Sequence, residues 1–276
     1  PRLAELDTQS DALRWLLDKT GERLADFITS LPGQSTDSSA LFDPEASWLK
    51  DPLPAAPTDA EELLSFLFDK VIPAAYNPAS PGYLAYVPGG GLFSAALGEL
   101  IAGTVNRYTG CWASAPAAVE LETQAIRWLC ELMGMPEGSL GVLTSGASMS
   151  TLIALVAARE KHLGEEFSRG VIYSSREIHH SIPKAARIAG LGEKNLRLVE
   201  VDERFRMRPD DLRKKIQADR EAGLLPFFVC SSAGTVNTGS VDPLEEIAHV
   251  AAEEGLWHHV DGAYGAAFRL VPELAE

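Results

Sequence analysis

The 276-residue sequence predicts an α/β fold: a mostly parallel sheet covered by helices on both faces, preceded by a helical segment. Two observations carry that prediction. From residue 138 onward, short β-rich runs alternate with amphipathic stretches of helical period, and the strand runs are apolar almost throughout. A strand that is apolar on both sides belongs to a sheet with two covered faces. With 46% hydrophobic and 23% charged residues the chain has the composition of a folded globular protein rather than a disordered or fibrous one.

The elements follow in order. Leu13, Trp15, Leu16, Leu17, Leu24, Phe27 and Ile28 recur at helical spacing behind Thr8 or Ser10 as N-cap. Residues 30–57 are rich in Pro, Ser and Asp, which is loop chemistry. Thr58-Asp59-Ala60-Glu61 reads as a capping box, with Leu63, Leu64, Phe66, Leu67 and Val71 as the apolar face behind it. Prolines and glycines over 76–91 end that helix, and two more are expected at 92–107 and 116–133. The second opens on Pro116 and stops before Gly134, the usual asymmetry. Strands are then predicted at 140–144, 170–174, 196–201, 227–231 and 256–261, with helices at 147–163, 180–189, 209–221 and 243–254 between them.

Charge and cysteine usage exclude several classes. Lys and Arg number 24 against 39 Asp and Glu, a net −15 that repels phosphate backbones, so nucleic acid is not an expected partner. No apolar run approaches the ~20 residues of a membrane span. Cys111, Cys130 and Cys230 form no CxxC pair and leave an odd count, which predicts a reducing, cytoplasmic setting. No signal-like stretch opens the chain. Its start on Pro1 and its stop just after a strand predict a trimmed polypeptide whose α/β domain continues past Glu276.

In an open α/β sheet, ligands bind at the carboxyl ends of the strands, and four loops fall there. Thr144-Ser145-Gly146-Ala147-Ser148 could cradle a phosphate at a helix N-terminus or be a tight Ser-capped turn. Ile178-His179-His180-Ser181 offers an imidazole to stack on a flat ligand, or two solvent-facing histidines at a helix start. Ala233-Gly234-Thr235-Val236-Asn237-Thr238-Gly239 suits a polar ligand edge and equally suits a plain turn. In His258-His259-Val260-Asp261-Gly262-Ala263-Tyr264, alternation puts His259 and Asp261 on one face and His258 and Val260 on the other. A carboxylate ending a buried strand needs a partner: a cationic ring nitrogen, or the amides of the turn it caps. The two HH pairs lack HExxH or nearby Cys ligands, so no metal site is expected. GxSxG is absent as well, which leaves a serine hydrolase unsupported.

Taken together, these loops resemble the group II pyridoxal-phosphate (PLP) amino-acid decarboxylases of fold type I. The resemblance runs through residues 81–88, Ala115-Pro116-Ala117 with Glu120-Leu121-Glu122, residues 144–155, 179–185 and 234–244, and most specifically His259-Val260-Asp261-Gly262-Ala263-Tyr264. It implies a seven-stranded-type sheet in a large domain over 81–276, entered through a helical dimer-clasp segment over 1–80. It implies that Ala147 and Ser148 hold the PLP phosphate, His179 stacks on the ring, Asp261 pairs with the ring nitrogen and Ala263 packs on the other ring face. Thr235 and Asn237 would lie near the cofactor's phenolic oxygen or the substrate carboxylate. The implied reaction is decarboxylation of an L-amino acid, aromatic by preference, in a homodimer with a shared active site; His179 and Asp261 are its catalytic candidates. Three departures stand out: the family's Schiff-base lysine falls in a His-Lys motif past the end of this chain, Val236 replaces a second Thr, and Gly89 replaces a Thr near the substrate carboxylate. The alternatives are an aldehyde-forming or carbon–carbon lyase enzyme of the same fold, or a lysine-less PLP-binding or regulatory subunit.

Overall fold

A computed structural model of the chain describes residues 10–84, 86 and 89–274. It divides into two compact units, one ending at Asn106 and one beginning at Arg107.

The first unit is helical. α1 (Ser10–Ser30) starts at Ser10; Thr8 lies outside the described residues. Arg23 on α1 bonds Asp69 at 3.2 Å and Ser65 at 3.0 Å, and Phe27 meets Phe68 edge-on at 6.5 Å. α2 (Ala60–Phe66) is capped by Asp59, whose Oδ1 accepts from the Glu61 amide at 2.9 Å. The cap expected at Thr58 is therefore displaced by one residue, because the adjacent carboxylate reaches the orphan amide. Regular helix ends at Phe66, short of the expected Val71; one wider π turn (Leu67–Val71) and a 3-10 turn follow. Pro73 explains the change, since it has no N–H to donate back and its ring crowds the carbonyl four residues earlier. α3 (Phe93–Val105) stops at Asn106 in a left-handed conformation.

The second unit holds the sheet. α4 (Pro116–Leu132) begins on its proline as expected. α5 (Ala147–His162), β1 (Gly170–Ser175), α6 (Ser181–Ile188), β2 (Leu196–Val199), α7 (Pro209–Glu221), β3 (Leu225–Ser232), α8 (Leu244–Glu253) and β4 (Trp257–Asp261) follow. The strands lie in the order β2-β1-β3-β4 and every pairing is parallel. The strand expected at 140–144 is not formed. That segment has no regular secondary structure, with Leu140, Val142 and Leu143 exposed, and among the described residues no strand lies alongside it to complete a ladder. The run at 196–201 is also cut short, because the chain turns at Asp202 and Val201 bridges back to Met207.

Two cores flank the sheet. Leu155, Ala158, Ile182, Ala185 and Ala186 from α5 and α6 pack on Ile172, Phe228 and Cys230. Leu212, Ile216, Ile247 and Val250 from α7 and α8 pack on Val171, Tyr173 and Val229. Alternation thus assigns neighbouring strand residues to opposite cores, with one interruption. Register slips between Val171 and Ile172, so Phe227 is an extra residue in β3, and Phe227 and Phe228 both enter the α5/α6 core with ring centroids 6.0 Å apart. On the other face the buried Tyr173 hydroxyl donates to Asp219 at 2.8 Å, and Asp219 also accepts two bonds from Arg197. Burial, foremost, and then the Asp219 bond push the Tyr173 phenol far above its ordinary value, so it stays a donor.

Candidate active site

The carboxyl ends of the strands collect the predicted loops. Lys161, near the end of α5, sits over the ring of Trp257, the first residue of β4, with its Nζ 5.7 Å from the centroid. α5 therefore runs opposite to β4, and its N-terminus faces the Asp261 end of the sheet.

That N-terminus is built by Gly146, at φ +150 and ψ 165, a conformation that suits glycine and leads the chain into the helix. A Cβ there would meet nothing within 4 Å, so the backbone conformation, not crowding, calls for glycine. The Thr144 hydroxyl ties the turn: it accepts from the Gly146 amide at 3.3 Å and lies 2.8 Å from the Ser150 hydroxyl. Ala147 and Ser148 open the helix, are exposed, and carry amides of the first turn, which a helix leaves without intrahelical acceptors. Positive helix-end potential and free donors make this position receptive to an anion.

His179 lies in the turn between β1 and α6. Its Nδ1 accepts from the Ser181 amide at 3.2 Å, which places the ring proton on Nε2 and fixes the ring plane. Burial, foremost, and the neighbouring His180 lower its pKa; the Asp261 carboxylate opposes them, which puts His179 and Asp261 within electrostatic reach.

Asp261 ends β4 opposite Ser232, as predicted on the face shared with His259. Its Oδ1 accepts from the Ala263 amide at 3.1 Å; among the described residues Oδ2 has no hydrogen-bond partner. The His259 ring stacks on Phe228 at 5.8 Å and 26°, whereas His258, on the opposite face, bonds the Ser231 hydroxyl at 2.8 Å. The Thr235 hydroxyl is buried inside its own turn, 2.6 Å from the Thr238 hydroxyl and accepting from the Ser240 amide at 3.2 Å; Asn237 is exposed at the tip.

Sequence reasoning missed Asp242. It is buried and accepts from the Met207 amide at 2.6 Å and the Ser232 amide at 2.8 Å, fastening the loop after β3 to the turn after β2. Burial raises its pKa and the two amides hold it down. An acid followed by Pro243 ahead of a helix was the available signal, though it reads as an ordinary helix entry. Among the described residues no group of three metal-ligating side chains assembles.

Burial is the leading cause that pushes His258 and His259 below the ordinary imidazole value; Asp261 opposes it at His259. Both are neutral when folded near neutral pH and regain a value of ~6.5 on unfolding. The unfolded chain then binds more protons, so stability present above pH ~6.5 is lost as pH falls through the depressed folded values. The melting temperature is expected to drop between about pH 7.5 and about pH 5.5, and less so in His258→Gln. An equal drop in that variant would remove His258 from the account.

A carboxylate with an open oxygen, an imidazole held flat by its own turn and a free helix N-terminus are the donor set that a phosphorylated, protonated pyridine requires. Residues 45–276 match the family described as pyridoxal-dependent decarboxylase conserved domain. The chain belongs to that family. The chain is 32% identical over 276 aligned positions to a phenylacetaldehyde synthase of Arabidopsis thaliana, covering 94% of this chain and 56% of that protein. It is 31% identical over 261 residues to an aromatic-L-amino-acid decarboxylase of Bacillus atrophaeus, covering 95% and 54%. Among solved structures, Oryza sativa TDC with PLP and tryptamine superposes at TM-score 0.89 and 28% identity, covering 98% of this chain and 58% of that one. The chain spans about half the length of the curated relatives it matches. No described helix is long and apolar enough to cross a membrane.

Proposed function

We propose that the protein carrying this decarboxylase domain binds PLP at the carboxyl end of its sheet and decarboxylates an aromatic L-amino acid to the amine and CO2. The single observation that carries this reading is Asp261: a carboxylate at the end of β4, one oxygen engaged by the Ala263 amide and the other open. When bound, PLP supplies the electron sink for the electrons left on Cα as CO2 departs. Asp261 holds the proton on the pyridine nitrogen, and the negative charge keeps it there. His179 and Ala263 confine the ring, and the Ala147 and Ser148 amides with the Ser148 hydroxyl hold the phosphate. Fixing the ring fixes which substrate bond is aligned with it, and alignment decides the reaction. Thr235, with its hydroxyl committed to the turn, shapes the loop that presents Asn237.

The Arabidopsis relative is named for an aldehyde product and the Bacillus relative for an amine-forming reaction, so product analysis is the deciding test. The complete protein, given PLP and phenylalanine, tyrosine, DOPA or tryptophan, is expected to release CO2 and amine in equal amounts. Aldehyde in place of amine would move the protein to the aldehyde synthases; no CO2 from any of the four would overturn the reading. His179→Ala is expected to weaken PLP binding about 2- to 13-fold, the value of one ring contact of ~0.5–1.5 kcal/mol, measured by cofactor absorbance titration. Unchanged affinity would return His179 to the surface.

Residues 1–80 serve in this reading as a clasp for a second copy, with 81–276 as the start of the PLP-binding domain. Exposed Leu13 and Leu17 on α1, and Phe93, Leu97, Leu100 and Ile101 on α3, support a homodimer. Three unpaired cysteines support a cytoplasmic setting.

A further inference from the structure

The loops after β3 and β4 meet at one point. Gly234 has φ +92, and a Cβ built there would lie 2.6 Å from Cδ1 of Tyr264. The Tyr264 ring therefore rests directly against the Gly234 backbone, where any side chain would displace it. A second contact lies beside it: a Cβ on Gly265 would collide with the Ala233 carbonyl, so these two backbones also touch. The Ala233 amide donates to the Asp261 carbonyl at 2.9 Å, carrying the β3–β4 pairing past the ends of the strands. The Tyr264 ring is itself held by Phe268, edge to face at 5.8 Å and 78°. No hydrogen bond of the Tyr264 hydroxyl is formed among the described residues, so the ring alone makes the junction.

We propose that Tyr264 is a positioning residue: by packing on Gly234 it holds the loop bearing Asn237 in place relative to Asp261 and Ala263, and so sets where the substrate sits. The junction explains why glycine stands at 234, and it assigns a role to an aromatic residue that is half-exposed beside the site. Without the ring the Gly234 end of the loop loses its side-chain contact and keeps only the backbone contacts beside it, and a site residue misplaced by about 1 Å can cost ~100-fold in rate. The proposal rests on the PLP-decarboxylase reading, and the experiment separates the two.

Tyr264→Ala and Tyr264→Leu are made in the complete protein with PLP, next to Tyr264→Phe and Asp261→Asn. The Ala and Leu variants are expected to lose about 100-fold in kcat/KM, through a raised KM for the amino acid together with a lower kcat. Tyr264→Phe is expected to restore wild-type values, because only the ring is required. Amide hydrogen exchange over residues 234–239 is expected to quicken in Ala and Leu and not in Phe. A merely structural defect lowers the active fraction, and with it the apparent kcat, at unchanged KM; that pattern would overturn the proposal. Tyr264→Phe losing as much as Ala would overturn it too, by pointing to the hydroxyl. Should the Ala variant fail to fold, the Leu variant, which keeps an apolar branched side chain but no ring, decides. If Asp261→Asn retains activity, the parent reading fails whatever Tyr264 does.

Discussion

Asp261→Asn is expected to retain PLP yet lose at least ~100-fold in kcat, the usual order for removing a charge that stabilises developing charge in a dry site. The isostere keeps the Ala263 contact, because its side-chain oxygen still accepts from that amide. It has no net charge, so nothing at the open position holds a proton on the pyridine nitrogen. The variant isolates that proton from packing. Cofactor content by absorbance and single-turnover CO2 release check the two halves separately. Rates within threefold of wild type would sink the assignment of Asp261, and loss of PLP together with rate would make it a binding residue.

Phe228→Ala is expected to destabilise the second unit by about 3–5 kcal/mol, measured by urea denaturation. Phe228 is fully buried in the α5/α6 core and lies in register with Trp257 on β4. Its ring also stacks on His259, two residues before Asp261 on the same face. Removal leaves a cavity under the floor of the site, so the activity remaining in the folded fraction should fall too. A loss below about 1 kcal/mol would mean that the core collapses onto the gap.

The sheet and its covering helices were legible because their signal is local. Apolar strands such as Val171-Ile172-Tyr173 need two covered faces wherever they occur, and Asp261 declared itself as a charge ending one of them. The features that stayed hidden depend on distant partners. Residues 140–144 have strand composition, but a strand forms only where a neighbour completes its ladder, and sequence spacing does not supply one. Asp242 binds amides of residues 207 and 232, a relation with no periodic signature. Thr58 lost the cap to Asp59 because two good cappers adjoin and only the local backbone chooses between them. Tyr264 belonged to the motif as a letter; its contact with Gly234 is a property of two loops meeting.

Phe227 carries a consequence for which changes the domain tolerates. As the one extra residue of β3, it sets the parity of every position after it, so Val229 and Cys230 face their present sides only because β3 is one residue longer than β1 there. Exchange of Phe227 for another large apolar residue leaves that count intact. A single-codon deletion leaves the strand with a choice between turning Val229, Cys230 and Ser231 to the wrong faces and dragging the 232–242 loop back by one residue. The domain should thus accept spelling changes in this strand far more readily than changes in its length, even though the affected residue lies a full strand away from Asp261.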